Sequence, residues 1–548
     1  MNSLKPMLLS SLKNYDKSQF VKDVTAGIIV AIIALPLSIA LALASGVGPE
    51  AGIFTAIVAG FVISALGGSS VQIAGPTAAF ATIVAGIVAH DGMDGLIVAT
   101  ILAGIFLILM GLCHFGSLIK FIPFTITTGF TSGIAVTIVI GQLKDFFGLT
   151  YPTGVKPIET VEKFEAVVNN FSTINMDAVI VGVVSLAILI IAPYIFKRIP
   201  GSLLAVIAGI AMVQLLPLKV NTIGNLYTIS NALPSLHFPS LSLNIIQNAL
   251  PNALTIAVLA AIESLLSCVV ADGMINGKHR SDMELVAQGA GNIASALFGG
   301  IPATGAIART AANIKNGGRT PIAGMVHSIT LVIVLVVLMP YAGMIPMPTI
   351  AAILFIVAYN MCQWRTFVNL VKTAPKSDII VLVTSFVLTV IFDLVVAIEV
   401  GMVLACLLFI KRMSEETKVN GWTYVDDDTP DVDEHLQKLP LQIRVYEISG
   451  PLFFGAASVI EEIAVKDFTK CLVLRMRSVP ALDSTALNAL KDLVQVCESK
   501  GITIVFSHVN DQPMKVMEKA GFIELVGKEN FQLNISAALD RAEEIIHK

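Results

Sequence analysis

Gly75-Pro76-Thr77-Ala78-Ala79-Phe80 and Ile301-Pro302-Ala303-Thr304-Gly305-Ala306 interrupt a very apolar chain at two matching places. Each stretch follows a break and opens a new apolar run. In water they would be ordinary turns. At bilayer depth an interrupted helix leaves backbone N–H groups that hydrocarbon cannot satisfy, so the break must face protein or a watery cavity. One such break in each half of a membrane chain is the sequence mark of a transporter binding site.

The surrounding composition supports a membrane reading. Hydrophobic residues make up 55 % of the 548-residue chain and charged residues 14 %, against ~25 % charged in soluble domains. Mean hydropathy is +0.82. From about residue 24 to residue 410 the chain is a series of apolar runs, many of them ~20 residues long, the length that crosses ~30 Å of hydrocarbon. The stretch 1–22 is polar, so a cleavable signal peptide is not expected.

Fourteen membrane segments are predicted, at about 24–44, 51–66, 75–90, 95–115, 118–141, 176–195, 202–217, 249–272, 282–300, 304–313, 319–340, 348–364, 377–391 and 393–410. With the N-terminus assigned to the cytoplasm, sixteen Lys and Arg fall on the inner side and four (Lys144, Lys156, Lys163, Lys219) on the outer side. That bias is the positive-inside rule. Fourteen divides as seven plus seven, and an odd number in each half makes the halves inverted. The two Pro-Thr breaks then open the third segment of each half.

After Arg412 the composition turns polar. The expected organisation is a cytoplasmic N-terminal segment (1–23), a transmembrane transport domain (24–412), a linker (413–440) with the acidic run Asp426-Asp427-Asp428, and a small cytoplasmic α/β domain (441–548). In the last, strands at 441–448, 471–476 and 502–507 alternate with helical patterns at 457–465, 484–498, 512–520 and 535–546.

Glu263 and Arg309 are ionisable residues inside apolar runs, where burial is expensive and function is the default reading. Ser267 lies four residues after Glu263, on the same helical face. The pair is read as an ion- or proton-coupling site, against the alternative of a protonated Glu bonded to a neighbouring helix. Arg309 follows the second break by about one turn. A cation beside two helix N-termini makes a positive pocket, so the substrate is expected to be an anion. The competing reading is that Arg309 snorkels to the inner face near Lys315 and Arg319.

Six scattered cysteines form no CxxC pair, and neither a metal site nor a disulfide framework is read from them. The chain has no GxxxxGK[ST] motif. No cofactor, nucleic-acid partner or enzymatic activity is expected.

The chain resembles the sulfate permease (SulP) family of anion transporters over nearly its whole length. The resemblance rests on Ala34-Leu35-Pro36-Leu37-Ser38, Gly75-Pro76-Thr77, the run Ala261 to Ser267, Gly289 to Asn292 and Gly299 to Thr310. A STAS-like domain follows, with Val479-Pro480-Ala481-Leu482-Asp483-Ser484-Thr485. The resemblance implies a 7+7 inverted repeat of fourteen helices, split into core and gate domains, in a homodimer moving like an elevator. It also implies an anion site at Thr77, Ala78, Ala306, Ile307, Ala308 and Arg309, lined by Leu37 and Leu41.

Relatives similar to the sodium-coupled bicarbonate transporters carry Asp at the Glu263 position and Thr at the Ile307 position. Here the carboxylate is longer and the hydroxyl is absent. A carboxyl away from water is readily neutralised, which favours proton over sodium as the coupling ion. The Gln and aromatic residues that animal members place at Leu37, Leu41 and Thr77 are also missing, which argues against animal-type chloride exchange. In related anti-sigma-factor antagonists the turn at Asp483-Ser484-Thr485 holds a phosphorylated hydroxyl, so Ser484 or Thr485 is a candidate regulatory site. A helix N-cap is the alternative there.

The expected function is secondary active, proton-coupled symport of sulfate, bicarbonate or a C4-dicarboxylate, in a bacterial inner membrane with both termini cytoplasmic. An anion exchanger or channel of the same fold and a sodium-coupled bicarbonate symporter are the alternatives. A membrane-tethered scaffold signalling through the STAS-like domain, to a cytoplasmic partner, is a third class.

Overall fold

Long apolar runs leave the backbone no partner in lipid but itself, and helices result. The computed structural model describes residues 4–117, 123–152, 157–196, 200–239, 243–392, 394–422, 439–463 and 468–547. The acidic run Asp426-Asp427-Asp428 lies outside them. The chain divides into two units, Met1–Met402 and Val403–Lys548.

In the first unit a short helix, α1 (Met7–Ser11), precedes α2 (Lys17–Ala44), α3 (Pro49–Leu66), strand β1 (Ala74–Gly75), α4 (Ala81–Leu112), α5 (Phe124–Phe147), α6 (Thr160–Asn169), α7 (Met176–Ile195) and α8 (Gly201–Leu215). The second half follows a one-turn helix α9 (Ile223–Leu226). It comprises α10 (Leu243–Ile275), α11 (Ser281–Leu297), strand β2 (Thr304–Gly305), α12 (Ile307–Lys315), α13 (Ile322–Ala342), α14 (Met347–Cys362), α15 (Trp364–Thr373), α16 (Lys376–Ile391) and the start of α17 (Leu394–Glu415), whose later residues belong to the second unit. Among the described residues eight helices are long and apolar enough to cross a membrane.

The expected gap between the third and fourth segments is not a loop. Both lie in α4, which bends at Gly92 (φ 69°, ψ −169°); only glycine adopts that backbone without cost. With α4 counted as two segments, α2–α8 without the short α6 supply seven. The other seven are α10–α14, α16 and α17. Helix α12 has nine residues and rises only ~13 Å, so it crosses half a membrane. Strands β1 and β2 pair antiparallel, Ala74 with Gly305 and Gly75 with Thr304. Antiparallel pairing of equivalent elements is what an inverted repeat produces.

Packing sorts the helices into two groups. Helices α2, α3, α4, α10, α11, α12 and α13 pack on one another, and α5, α7, α8, α14 and α16 form the second set. These are the core and the gate. Close approach within the core comes from small residues, as membrane packing favours: a Cβ on Gly104 of α4 would lie 2.7 Å from the Gly289 carbonyl of α11.

Near the start of α2, Asp23 is fully buried. It accepts hydrogen bonds from Tyr15 Oη (3.0 Å), Gln19 Nε2 (2.9 Å), the Arg319 N–H (2.8 Å) and Thr320 Oγ1 (2.6 Å). Burial and the bond to Asp23 push the Tyr15 phenol up to about 12, so it remains a donor. These bonds tie the N-terminal segment to the turn between α12 and α13.

The second unit is a five-stranded sheet in the order β3 (Lys418–Trp422), β4 (Ile443–Ser449), β5 (Cys471–Ser478), β6 (Thr503–Ser507), β7 (Phe531–Gln532). The first pair is antiparallel and the others parallel. Alternate side chains of β5 face opposite cores. Leu472, Leu474 and Met476 meet α18 (Ser484–Ser499), while Cys471 and Val473 meet α21 (Ile535–His547). Two further helices, α19 (Asp511–Lys519) and α20 (Phe522–Val526), lie between.

Residues 418–422, expected as linker, form the edge strand β3; their polar side chains hid a strand held by ladder bonds to β4. The helix expected at 457–465 is a 3₁₀ turn, Ala457–Glu462, and 464–467 lie outside the described residues. Burial pushes the Cys471 thiol up to about 12 and Cys497 to about 11, which makes both inert packing groups.

Candidate functional site

The two breaks meet at the β1–β2 pair, and buried side chains fix the approach of each. Before β1, Glu284 of α11 accepts from the N–H groups of Gly68 (2.9 Å) and Ser69 (3.2 Å) and from Gln72 Nε2 (2.7 Å) and Gln288 Nε2 (2.8 Å). Before β2, Asn292 bonds the backbone of Ala303 from both sides: its Oδ1 accepts at 2.8 Å and its Nδ2 donates at 2.9 Å. The Ile301 N–H donates to Thr55 Oγ1 at 2.7 Å. Across the pair, the Ala306 N–H donates to the Ile73 carbonyl (2.9 Å) and the Ile73 N–H to Thr310 Oγ1 (3.0 Å). These bonds give the extended backbone at the breaks protein partners, as a break in an apolar span requires.

Past the pair each chain turns into a helix whose first N–H groups lack intrahelical acceptors. No side chain caps the 3₁₀ turn Ala78–Phe80 that begins the α4 rod, and none caps α12. Both ends therefore present free donors and partial positive charge. Ala78 is buried, Ala306 partly so, and Ile307 and Ala308 are exposed. Of the two lining leucines, Leu41 is buried and Leu37 partly exposed.

Arg309 does not snorkel. It is 3 % exposed, and its Nη2 donates to Ser38 Oγ of α2 and to the Pro76 carbonyl, each at 3.3 Å. Its Nη1 has no hydrogen-bond partner among the described residues. Gly75 makes room for it, since a Cβ there would collide with Nη1. We expect Gly75→Ala to displace the guanidinium and raise the KM for the transported anion about tenfold, with a far smaller change in thermal midpoint. Uptake kinetics beside a melting curve of the same protein check this.

Thr77, the residue before the 3₁₀ turn, donates its hydroxyl to Glu263 Oε2 of α10 at 2.8 Å. The structure therefore brings Thr77, Glu263 and Arg309 to the strand crossing. Ser267 is buried one turn along α10, and its hydroxyl has no partner among the described residues; no bond joins it to Glu263. Ser484 and Thr485 belong to the other unit. Both are exposed at the start of α18, and the N-cap is Asp483, whose Oδ1 accepts from the Ala486 N–H and Oδ2 from the Phe454 N–H, each at 2.9 Å.

Sequence reasoning missed Ser38, Glu284, Asn292 and His327. Ser38 lay inside a motif that had been read for its leucines. Glu284 is ionisable within a predicted segment, the same signal that marked Glu263. Asn292 ends the Gly289 to Asn292 run, which marks the resemblance without assigning that side chain a contact, and His327 is a polar residue in apolar surroundings with no distinguishing pattern.

Comparison with known proteins gives concordant results. The sulfate permease family model matches residues 20–385, and the STAS domain model matches residues 437–541. YvdB of Bacillus subtilis is 38 % identical over 530 residues, covering 95 % of this chain and 97 % of its own. The bicarbonate transporter BicA of Picosynechococcus is 31 % identical over 538 residues, covering 95 % and 94 %. The murine Solute Carrier 26 family member A9 structure, an anion transporter in the inward-facing state, superposes with a TM-score of 0.89. It covers 99 % of this chain and 94 % of that one at 19 % identity, a likeness of fold. The chain belongs to the sulfate permease family: it is a multi-pass anion transporter with a C-terminal STAS domain, and not an enzyme.

Proposed function

We propose that this protein is a proton-coupled symporter of a small oxyanion or carboxylate: sulfate, bicarbonate or a C4-dicarboxylate. The observation that carries the coupling is the bond from Thr77 to Glu263. Thr77 stands at the head of one half-helix, where the anion would sit. While Glu263 is ionised, the Thr77 hydroxyl proton is committed to it, and its negative charge opposes an anion nearby. Protonation removes that charge and lets the carboxyl donate, so that the hydroxyl can turn to the anion. Proton and anion then favour each other's binding, a reciprocal coupling and the requirement for symport.

Ile307 offers no side-chain oxygen, which disfavours a sodium ion needing several. Likeness to the sulfate permease family and to BicA supports keeping both sulfate and bicarbonate as candidates. Uptake of labelled sulfate, bicarbonate and fumarate into proteoliposomes, with the pH gradient imposed or collapsed and sodium present or absent, separates them. Uptake driven by sodium and indifferent to pH would replace this reading with sodium symport, and uptake indifferent to both would leave exchange or conduction.

The sorting of helices into two packed sets supports an elevator in which the core set slides against the gate set. The charge bias supports cytoplasmic termini; a bacterial inner membrane is proposed from the bacterial relatives, and a homodimer from the family resemblance alone. For the STAS domain we propose phosphorylation at Ser484 or Thr485. Both hydroxyls are exposed in the first turn of α18, where a helix N-terminus stabilises added negative charge. Mass spectrometry of the peptide containing them, from growing cells, is expected to find phosphate; an unmodified peptide at full coverage would argue for a purely structural turn.

A further inference from the structure

Helix α14 stops at Gln363, whose backbone is left-handed (φ 43°, ψ 41°), a region uncommon outside glycine, and α15 starts afresh from it. Pro375 then caps α16. The ten residues of α15 rise only ~15 Å, half of the ~30 Å hydrocarbon core, so α15 is a separate short rod. One of its faces meets protein. Phe367 and Leu370 are partly buried, and the Phe367 ring meets Phe386 of α16 with centroids 5.3 Å apart. A second face does not. Trp364, Val368 and Val371 are 46 %, 40 % and 40 % exposed, and their spacing of four and three puts them on one stripe.

Charge borders that stripe. Arg365 and Lys372 are both exposed, and seven residues of helix bring them within ~20° of one another around the axis. The Arg365 guanidinium lies over the Trp364 ring, 5.5 Å from its centroid. Neither cation forms an ion pair among the described residues. From Tyr359 to Ser377 the chain carries three cations, Arg365, Lys372 and Lys376, and no acid. Trp364 Nε1 donates to Tyr359 Oη of α14 at 3.3 Å. Around the rod the order is therefore protein-facing, apolar, cationic and then polar at Asn369 and Thr373. A helix lying in a membrane surface needs that order, and Trp and Tyr suit the depth of the headgroups.

We propose that α15 lies along the membrane surface as a lipid-docking helix, with Trp364, Val368 and Val371 in the acyl boundary and Arg365 and Lys372 holding the phosphates of anionic phospholipids. A second copy of this chain is the poorer occupant. A two-fold contact through the stripe sets like against like and would bring four unpaired cations together. Charge also selects among lipids, because a zwitterionic headgroup supplies its phosphate with its own ammonium group. Each cation near an anionic surface is worth about a fivefold gain in local concentration. The inference stands on α15 alone and is independent of which ion drives transport.

The chain has two tryptophans, Trp364 and Trp422, so full-length Trp422→Phe protein reports from Trp364 alone. It is reconstituted into mixed vesicles of phosphatidylglycerol and phosphatidylcholine in which one lipid or the other carries bromine on its acyl chains near the glycerol. Bromine quenches a neighbouring indole, so the two preparations read which lipid stands beside α15. Quenching by the brominated phosphatidylglycerol is expected to exceed that by the brominated phosphatidylcholine at least threefold at equal mole fraction. Adding Arg365→Gln and Lys372→Gln is expected to abolish the excess and leave quenching itself intact. Salt at 1 M, which shortens the screening length to ~3 Å, should reduce the excess in the parent. Equal quenching by the two lipids in the parent would make α15 an ordinary lipid-facing helix and overturn the proposal. Absence of quenching by either would overturn it too, since water or a second copy would then cover the stripe. An excess that survives the double substitution would remove Arg365 and Lys372 as the phosphate ligands.

Discussion

Arg309→Ala is expected to reduce anion uptake at least a hundredfold at subsaturating substrate, while the protein remains folded. The guanidinium is the one strong positive charge joined to the strand crossing by hydrogen bonds in the described structure. It adds to two helix ends that each contribute about half an elementary charge. A hydrogen bond to a charged group is worth ~1.5–3 kcal/mol net, and attraction across a poorly hydrated site adds to it; ~2.7 kcal/mol corresponds to a factor of a hundred.

Stability should respond differently. Among the described residues Nη1 of Arg309 has no hydrogen-bond partner and Nη2 makes only long bonds, so removal of the side chain strands little. Arg309→Lys keeps the charge but replaces the planar guanidinium, whose Nη2 bonds Ser38 and Pro76 while Nη1 has no protein partner among the described residues, by a single ammonium, and is expected to lose uptake by roughly tenfold. Uptake of Arg309→Ala within threefold of wild type would remove the anion site from this position.

The second large effect is at Glu263. Glu263→Gln keeps an acceptor for the Thr77 hydroxyl and has the shape of a protonated Glu, but it cannot release a proton. Concentrative uptake should disappear, while exchange of labelled for unlabelled anion across the membrane continues. A pH difference of one unit stores ~1.4 kcal/mol per proton, so a one-proton symporter concentrates its anion about tenfold more with that gradient than without it, and Glu263→Gln loses this factor. Accumulation by Glu263→Gln that still follows the pH gradient would place the proton elsewhere. Glu263→Asp is a useful companion, because its carboxylate falls about one methylene short of Thr77.

What could be read from the sequence was what single segments decide. Apolar runs of membrane length, Pro-Thr breaks and charges in loops gave the segments and the inverted repeat, and Glu263 and Arg309 stood out because hydrocarbon makes ionisable groups rare. The closures between segments were not legible. Nothing in Glu284 or Asn292 alone says that it holds a loop from an earlier part of the chain. The gap expected between 90 and 95 holds Gly92, and a bend and a break carry the same residue. In the soluble domain, β3 was missed for lack of an apolar alternation, whereas β5 was found because both its faces are covered.

The contact between Gly75 and Arg309 has a counterpart. A Cβ on Gly305, the matching glycine of the other half, would collide with the amide of Gln72. Each half therefore leaves a hole that a side chain of the other half fills, and the two plugs differ: one is a cation, the other a neutral amide donated to Glu284. A duplicated ancestor with equal halves could not have had this arrangement. The asymmetry puts a single positive charge on one side of a two-fold frame, and it makes the halves mutually dependent, so that neither can be copied over the other without leaving one hole wrongly filled.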